Sequence, residues 1–329
     1  MHDDFLFCGT TKLSIVIPAF NEEHRLPELF RALRGFNGEP EDFEIIIVDD
    51  GSTDKTAEIA EDFLRDFNCK GGVISLPKNL GKGNALREGV LLTDSPFLLT
   101  VDADMATDLS DLDHALNLLS DHHIVIGSRN LPNSEIVGMP LRRRLLTKSF
   151  NQIFRLVTNI GLSDTQCGFK LYRTPIAKCL FAASSVNGFA QDAELIYLAE
   201  ANGLSITEIA VRWTAIPGSK VKVISDSLHS LKELALRKRR SSSLAIFDSV
   251  IVDNISRTEA ERIVSLNIFP RGAFSLWSCS GLRVFFPVRF NVNSEEIASQ
   301  VTSIGSQAVV NMSNCSAIKL LELIGGDSK

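Results

Sequence analysis

The chain has 329 residues, of which 44% are hydrophobic and 22% are charged, a composition that excludes a disordered, collagen-like or disulfide-scaffold protein. A net charge of -6, with only 2 Tyr and 2 Trp, argues against a nucleic-acid-binding protein. The 6 cysteines lie far apart and include no C-x-x-C pair, so we expect reduced thiols and a cytoplasmic setting. The length suggests about two domains.

From residue 13 to about residue 236, short β-branched segments alternate with amphipathic ones. The predicted strands are residues 14–17, 44–48, 72–75, 97–101 and 123–126, and the predicted helices are residues 22–34, 54–67, 84–92 and 109–119. Continuous apolar strands are typical of a parallel sheet that is covered on both faces. The alternation of strand and helix therefore predicts an α/β fold with a mostly parallel sheet and helices on both sides.

A basic segment at residues 237–240, followed by three serines, predicts a domain boundary, which divides the chain into domains 1–243 and 244–329. Beyond it we expect strands at residues 245–252, 274–277, 282–288 and 308–312 and helices at residues 257–266 and 294–301. This order is βαββαβ, the ferredoxin-like arrangement of a small α+β domain. Its role is open, although its sheet edge could pair subunits into a homo-oligomer.

Polar segments follow the first four predicted strands, at residues 18–23, 49–52, 79–84 and 102–104. In an open α/β sheet, ligands bind beyond the carboxyl ends of the strands. One such segment alone would signify little, because strand ends are usually polar. Four of them at one edge of the sheet predict a binding site.

Asp102 and Asp104 follow a fully apolar strand, and in an extended chain residues two apart point the same way. Two carboxylates side by side are costly unless a cation neutralises them. A divalent ion that also holds diphosphate oxygens would do so, which suggests Mg²⁺ or Mn²⁺.

The segment Gly81-Lys82-Gly83 is not a Walker A loop. It could be a solvated turn, or Lys82 could contact an anionic ligand near a helix start, where the helix dipole also favours anions. The carboxylate of Asp50 could accept the imide N–H of a uracil ring, and the turn at residues 18–22 could line the base. Together these features predict a metal-dependent binder of a nucleoside diphosphate.

Several blocks resemble the signature segments of glycosyltransferase family 2, which has the GT-A fold. They are residues 14–23, 48–54, 102–104, 127–129, 164–170 and 192–195, and they span roughly the first 240 residues. Within that family the segments at residues 164–170 and 213–220 are most similar to polyprenyl-phosphate glycosyltransferases, dolichyl-phosphate glucosyltransferases among them. Gln191 departs from the family pattern, in which an aromatic residue commonly precedes the acid.

The resemblance implies an inverting transfer of a sugar, with glucose expected, from a UDP-sugar to a polyprenyl phosphate. The residues that it places around the uridine are Pro18, Phe20, Glu22 and Asp50. Lys82 would lie beside the donor, and Asp102 and Asp104 would hold the metal under the diphosphate. Arg129 and Lys220 would gather the acceptor and donor phosphates.

Asp192 has two open interpretations. It could be a catalytic base or an orienting group, or it could simply cap the helix that begins at Ala193. A strong base is not required, because a phosphate nucleophile is already anionic near neutral pH.

No acidic residue occurs between positions 136 and 163, where arginine and lysine accompany an apolar stripe at helical spacing. The stripe comprises Leu141, Leu145, Leu146, Phe150, Ile153, Phe154 and Val157. An ordinary helix packed on the sheet would look the same. An interfacial helix on an anionic membrane would too, and residues 217–243 are also rich in basic side chains. The acidic start at residues 1–4 is unlike a secretion signal. From the two basic segments we expect peripheral binding to the cytoplasmic face of a membrane.

Two alternatives stay open. The acceptor could be a soluble molecule or a surface glycan, although the basic segments favour a lipid phosphate. The first domain could also be a catalytically silent nucleotide-sugar-binding scaffold, but a silent domain need not keep Lys82 and both carboxylates at 102 and 104.

Overall fold

The computed structural model describes residues 11–35, 39–93, 95–158 and 160–216, and the strand residues 246–253, 274–278, 281–287, 311–312 and 315–316. The predicted boundary at residues 237–243, Lys220 and the two predicted helices 257–266 and 294–301 lie outside the described residues. Within the described part of the chain, no helix combines the length and the apolar character needed to cross a membrane.

Nine strands belong to the first part of the chain. They are β1 Leu13–Ala19, β2 Phe43–Asp49, β3 Lys70–Ser75, β4 Phe97–Thr100, β5 Ile124–Ser128, β6 Glu135–Val137, β7 Lys170–Arg173, β8 Ile206–Ala210 and β9 Arg212–Thr214. Seven of them form one sheet in the order β3-β2-β1-β4-β7-β5-β8, and β6 pairs with β9 separately. Within the seven-stranded sheet, only β7 runs antiparallel to its neighbours, β4 and β5. The predicted α/β fold with a mostly parallel sheet is confirmed.

The helices are α1 Leu26–Arg34, α2 Thr56–Phe67, α3 Lys82–Leu92, α4 Leu112–Leu118, α5 Leu141–Thr158, α6 Thr174–Ala183 and α7 Gln191–Ala201. Helices α1, α2 and α4 pack against one face of the sheet, and α3, α6 and α7 pack against the other. Each face of the sheet has its own hydrophobic core, and alternate residues of β1 belong to different cores. Ile15 and Ile17 pack in the core with α1, α2 and α4, and Val16 packs in the core with α3, α6 and α7. This two-sided burial explains why the strands are apolar at successive positions.

Helix α5 corrects the predicted apolar stripe in one respect. Phe154 is fully buried in the core with α6 and α7, so this side of α5 packs on the body of the protein. An α-helix has 3.6 residues per turn, and this spacing places Leu141, Leu145 and Leu156 on the side of α5 opposite Phe154. These three leucines are exposed.

A second sheet contains β10 Ile246–Asp253, β11 Phe274–Ser278, β12 Gly281–Pro287, β13 Asn311–Met312 and β14 Cys315–Ser316. Its order is β11-β12-β10-β13, with β14 also paired to β10, and all of its pairs are antiparallel. Because the residues between β10 and β11 and between β12 and β13 lie outside the described part of the chain, the ferredoxin-like fold and the domain division stay predictions.

Candidate active site

The turn after β1 is fastened to the loop after β2. The backbone N–H of Asn21 donates to Ser52 Oγ at 2.8 Å, and Asn21 Oδ1 accepts from the backbone N–H of Thr53 at 2.8 Å. The backbone N–H of Glu22 donates to Thr56 Oγ1 at 2.7 Å. These hydrogen bonds join the two loops into one continuous surface at the carboxyl edge of the sheet, where Pro18 and Phe20 are half-buried.

Asp50, in the loop after β2, connects these two loops to the loop before α3. Its Oδ1 accepts from the backbone N–H of Leu80 and its Oδ2 from that of Gly81, both at 2.8 Å. Burial raises the pKa of Asp50, and these two backbone donors lower it only in part. The carboxylate thus holds the loop that leads into Lys82, a role that the sequence did not predict. Its contact with a uracil ring stays a prediction.

Lys82 brings together two predicted residues from distant parts of the chain. Its Nζ lies 2.8 Å from Asp102 Oδ1 and 3.3 Å from Asp192 Oδ2. Burial alone would lower the pKa of Lys82, but the two carboxylates raise it above its ordinary value. Lys82 is therefore a fixed positive charge at the end of β4, and the solvated-turn interpretation is wrong.

Asp192 is held between two ammonium groups. Its Oδ1 lies 2.6 Å from Nζ of Lys170, a buried lysine that also donates to the backbone oxygen of Cys167 at 2.5 Å. Burial alone would raise the pKa of Asp192, but Lys170 and Lys82 lower it overall. A carboxylate stabilised in this way is a poor proton acceptor, so the geometry favours an orienting group over a base.

The capping interpretation of Asp192 is wrong. Helix α7 begins at Gln191 and its N-cap residue is Ala190, which places Asp192 inside the first turn. The side chain of Gln191 instead donates to the backbone oxygen of Gly83 at 2.8 Å and so links α7 to the start of α3.

Asp104 lies near Arg25, whose Nη1 is 3.9 Å from Asp104 Oδ2. Arg25 also pairs with Glu22, a residue that the resemblance places at the uridine. Burial, followed by repulsion from Asp102, raises the pKa of Asp104, and Arg25 and Lys82 offset this only in part. Negative charge at this point is therefore incompletely compensated by the protein.

The pair of carboxylates fits a divalent cation. Asp102 and Asp104 keep 39% and 25% of their side-chain surface exposed, and hard oxygen ligands suit Mg²⁺ or Mn²⁺. A cation there would relieve the repulsion that raises the pKa of Asp104. Among the described residues no third His, Cys, Asp or Glu joins them in a cluster, so the other ligands would come from substrate and water.

Arg129 is fixed by Asp164 through two parallel hydrogen bonds. Nε lies 2.6 Å from Oδ2 and Nη2 lies 2.9 Å from Oδ1. Burial alone would raise the pKa of Asp164, but Arg129 lowers it overall. The backbone N–H groups of Ser163 and Asp164 donate to the carboxylate of Glu208 at 2.8 and 2.9 Å, and the Arg129 guanidinium lies 5.8 Å from the ring centre of Trp213. Arg129 is thus held rigidly, and its contact with phosphates stays a prediction.

Sequence reasoning missed the roles of Lys170, Arg25 and Asp164, each of which pairs with a predicted site residue. Lys170 carried a signal, because it stands in the otherwise apolar segment Phe169-Lys170-Leu171-Tyr172, and a buried lysine requires a partner of opposite charge. Arg25 and Asp164 offered no comparable local signal.

Comparisons with known proteins agree with this architecture. A family model described as Glycosyl transferase family 2 matches residues 14–181. The dolichyl-phosphate beta-glucosyltransferase of Drosophila melanogaster is 40% identical over 225 residues, covering 64% of this chain and 69% of the relative. The protein of the same name from Homo sapiens is 35% identical over 246 residues, covering 70% of this chain and 76% of the relative.

Among solved structures, glucosyl-3-phosphoglycerate synthase from Mycobacterium tuberculosis matches with a TM-score of 0.52 at 18% identity, covering 70% of this chain and 82% of that one. This similarity concerns the fold alone and agrees with the GT-A fold that the resemblance implied. The matches to the family model and to relatives above 30% identity identify the chain as an enzyme. The chain belongs to glycosyl transferase family 2.

Proposed function

We propose that this enzyme transfers glucose from a UDP-sugar to a polyprenyl phosphate of the dolichyl type, with inversion at the anomeric carbon. The name of its curated relatives, dolichyl-phosphate beta-glucosyltransferase, supports the sugar and the acceptor. The observation that carries the proposal is the cluster of Lys82, Asp102 and Asp192 at the carboxyl edge of the sheet, beside Asp104. This edge is where open α/β sheets bind nucleotides.

The donor would lie across the loops after β1, β2 and β4. The residues proposed for the uridine are Pro18, Phe20, Glu22 and Asp50. Lys82 would contact the diphosphate, because its ammonium group lies beside Asp102 at the edge of the sheet where nucleotides bind. A fixed positive charge needs no reorganisation when negative charge develops on the leaving group, which favours the transition state.

Asp102 and Asp104 would hold Mg²⁺ or Mn²⁺ together with oxygens of the diphosphate. The bound ion would supply Lewis-acid stabilisation of the charge that accumulates on the departing UDP. Arg25, whose Nη1 lies 3.9 Å from Asp104 Oδ2, would help to hold Asp104 in place.

The nucleophile would be a phosphate oxygen of the lipid acceptor. A bond forms between this oxygen and the anomeric carbon, while the bond from that carbon to the diphosphate oxygen breaks and UDP leaves. Because the phosphate is already anionic, no residue has to remove a proton, which agrees with the lowered pKa of Asp192. Arg129 would hold the acceptor phosphate, with Lys220, which lies outside the described residues.

A membrane surface would deliver the lipid, and α5 is suited to contact it from the cytoplasmic side. Leu141, Leu145 and Leu156 are exposed by 76%, 66% and 80%, and the exposed Arg144 and Arg155 accompany them. A helix that presents leucine and arginine to solvent, in a segment without acidic residues, is typical of interfacial binding to anionic lipid.

Equilibrium titration tests the donor site. UDP-glucose, UDP and GDP-mannose would be titrated into the protein with and without Mn²⁺. We expect UDP and UDP-glucose to bind, more tightly with Mn²⁺, and we expect the gain from Mn²⁺ to disappear in Asp104→Asn. Preference for GDP-mannose, or failure to bind any nucleotide, would contradict the proposal.

A further inference from the structure

The segment 167–170 leads into β7, the antiparallel strand beside β4, and its residues contact both carboxylates that flank Lys82. Lys170 is the register partner of Thr100, the last residue of β4. The residues before Lys170 therefore run alongside the residues that follow β4, which include Asp102.

Gly168 forms the first of the two contacts. A β-carbon built on Gly168 would lie 2.2 Å from Oδ2 and 2.5 Å from Cγ of Asp102. This distance is far below van der Waals contact, so the carboxylate rests directly on the glycine backbone. The position of Asp102 thus depends on the absence of a side chain at residue 168.

Lys170 forms the second contact. It is 1% exposed, and its ammonium group donates to the backbone oxygen of Cys167, within the same segment, and to Asp192 Oδ1. With Oδ1 engaged, Asp192 turns Oδ2 toward Lys82 at 3.3 Å. Lys82 therefore bridges two carboxylates that are both set in place by one segment of four residues.

We propose that Lys170 is a positioning residue for Lys82 and acts through Asp192. Without Lys170, both oxygens of Asp192 become available to Lys82, whose ammonium group would then move toward Asp192 and away from Asp102. The positive charge of Lys82 would remain in the protein but would lie in a different place. The consequence for the donor rests on the proposed function, in which Lys82 contacts the diphosphate.

Four variants separate positioning from simple stabilisation. Lys170→Met removes the buried ammonium group, and Asp192→Asn removes the carboxylate. The double variant Lys170→Met/Asp192→Asn removes one buried charge of each sign and so leaves no unpaired buried charge. Its comparison with Asp192→Asn shows whether Lys170 acts on Lys82 only through Asp192. Lys178→Met is the matched control, because Lys178 is a buried lysine on α6 with 5% exposure.

The first readout needs no ligand. In protein labelled with ¹⁵N-lysine, buried and hydrogen-bonded ammonium groups exchange slowly enough to give NMR signals, and Lys82→Gln identifies the signal of Lys82. We expect this signal to shift or disappear in Lys170→Met and to stay unchanged in Lys178→Met. Because Lys170 acts through Asp192, we expect the signal to be the same in the double variant as in Asp192→Asn. The second readout is the affinity for UDP-glucose, which we expect to fall about ten- to a hundredfold in Lys170→Met, as for a lost hydrogen bond to a charged group.

An unchanged Lys82 signal and unchanged affinity in Lys170→Met would overturn the proposal, and so would a Lys82 signal in the double variant that differs from the one in Asp192→Asn. Normal stability of Lys170→Met, together with a displaced Lys82 signal and weakened UDP-glucose binding, would support it. If the wild-type protein bound no nucleotide, the proposed function would fail, but the Lys82 signal would still decide whether Lys170 positions this residue.

Discussion

Gly168 and Asp102 are in such close contact that a β-carbon on the glycine would lie 2.2 Å from the carboxylate oxygen Oδ2. Gly168→Ala should therefore displace Asp102 from its place beside Lys82, with an overpacking cost of about 1–3 kcal/mol in stability. We expect glycosyl transfer to fall by at least about tenfold, since a misplaced group near the reacting atoms can cost up to about a hundredfold.

The matched control for this substitution is Gly161→Ala, because a β-carbon on Gly161 meets no atom of the described residues within 4 Å. Thermal unfolding would establish that both variants are folded before their activities are compared. Equal transfer rates for the two variants would show that the position of Asp102 is unimportant.

Asp104→Asn should weaken metal binding without lowering the stability of the protein. Burial and Asp102 raise the pKa of Asp104, so the charged form of this carboxylate is costly in the metal-free protein. Its replacement by a neutral asparagine should therefore leave the free energy of unfolding almost unchanged or increase it. Metal titrations of transfer activity should show at least a tenfold higher Mn²⁺ requirement, about 1.4 kcal/mol of binding free energy. An unchanged Mn²⁺ requirement would remove Asp104 from the metal site.

Asp164→Asn should change how stability depends on pH. Breaking a buried ion pair costs about 3–5 kcal/mol, so we expect a loss of this size at pH 7. Because Arg129 lowers the pKa of Asp164 below its value in the unfolded chain, this contribution is complete above about pH 4 and is lost as the pH falls through the lower native value. Urea unfolding between pH 7 and pH 3 should show the gap between wild type and variant narrowing at the acidic end.

Lys12 and Asp42 provide the control for that experiment. They form an ion pair at 3.0 Å in which the lysine side chain is 75% exposed. Asp42→Asn should therefore cost less than about 1 kcal/mol at pH 7. A comparable loss in both variants would indicate that the Arg129–Asp164 pair contributes no more than a surface pair.

Substitution of exposed leucines on α5 should weaken membrane binding without loss of the fold. Leu145→Ser/Leu156→Ser removes two side chains whose burial in lipid would contribute about 1.5–3 kcal/mol each. Co-sedimentation with vesicles that contain anionic phospholipid should show at least a tenfold weaker partition. Leu92→Ser is the control, because Leu92 is 63% exposed on α3, a different helix.

High salt should also weaken the partition of the wild-type protein into vesicles, because salt screens the attraction between the basic residues of α5 and the anionic lipid. A wild-type protein that stays in the supernatant with anionic vesicles at low salt would contradict the membrane proposal.

Much of the fold could be predicted from the sequence because its signals are local. Strands β1 and β2 are continuous β-branched segments, which only a sheet covered on both faces buries well. Strand β7 was missed because its four residues, Lys170–Arg173, are charged at both ends. Its antiparallel direction is set by pairing with β4 and β5, which no local pattern reports.

The site was predicted only in part, because several of its contacts join residues that are far apart in the sequence. Lys82 and Asp102 follow predicted strands, so the rule for strand ends brings them to one edge. Asp192 came from the resemblance alone, since it lies in the first turn of a helix. Its pairing with Lys170 joins residues 22 positions apart, and the Arg129–Asp164 pair joins residues 35 apart, so both depend on the folded chain.

Transfer of radiolabelled sugar from UDP-glucose to a polyprenyl phosphate in detergent tests the central claim most directly. The assay would include Mn²⁺ or EDTA, a panel of other UDP- and GDP-sugars, and the variant Asp104→Asn. We predict a labelled lipid that forms from UDP-glucose with Mn²⁺, is lost with EDTA, and forms more slowly in the variant at the same Mn²⁺ concentration. Absence of a lipid product from every donor, in a protein that still binds UDP, would contradict the lipid acceptor and point to a soluble one.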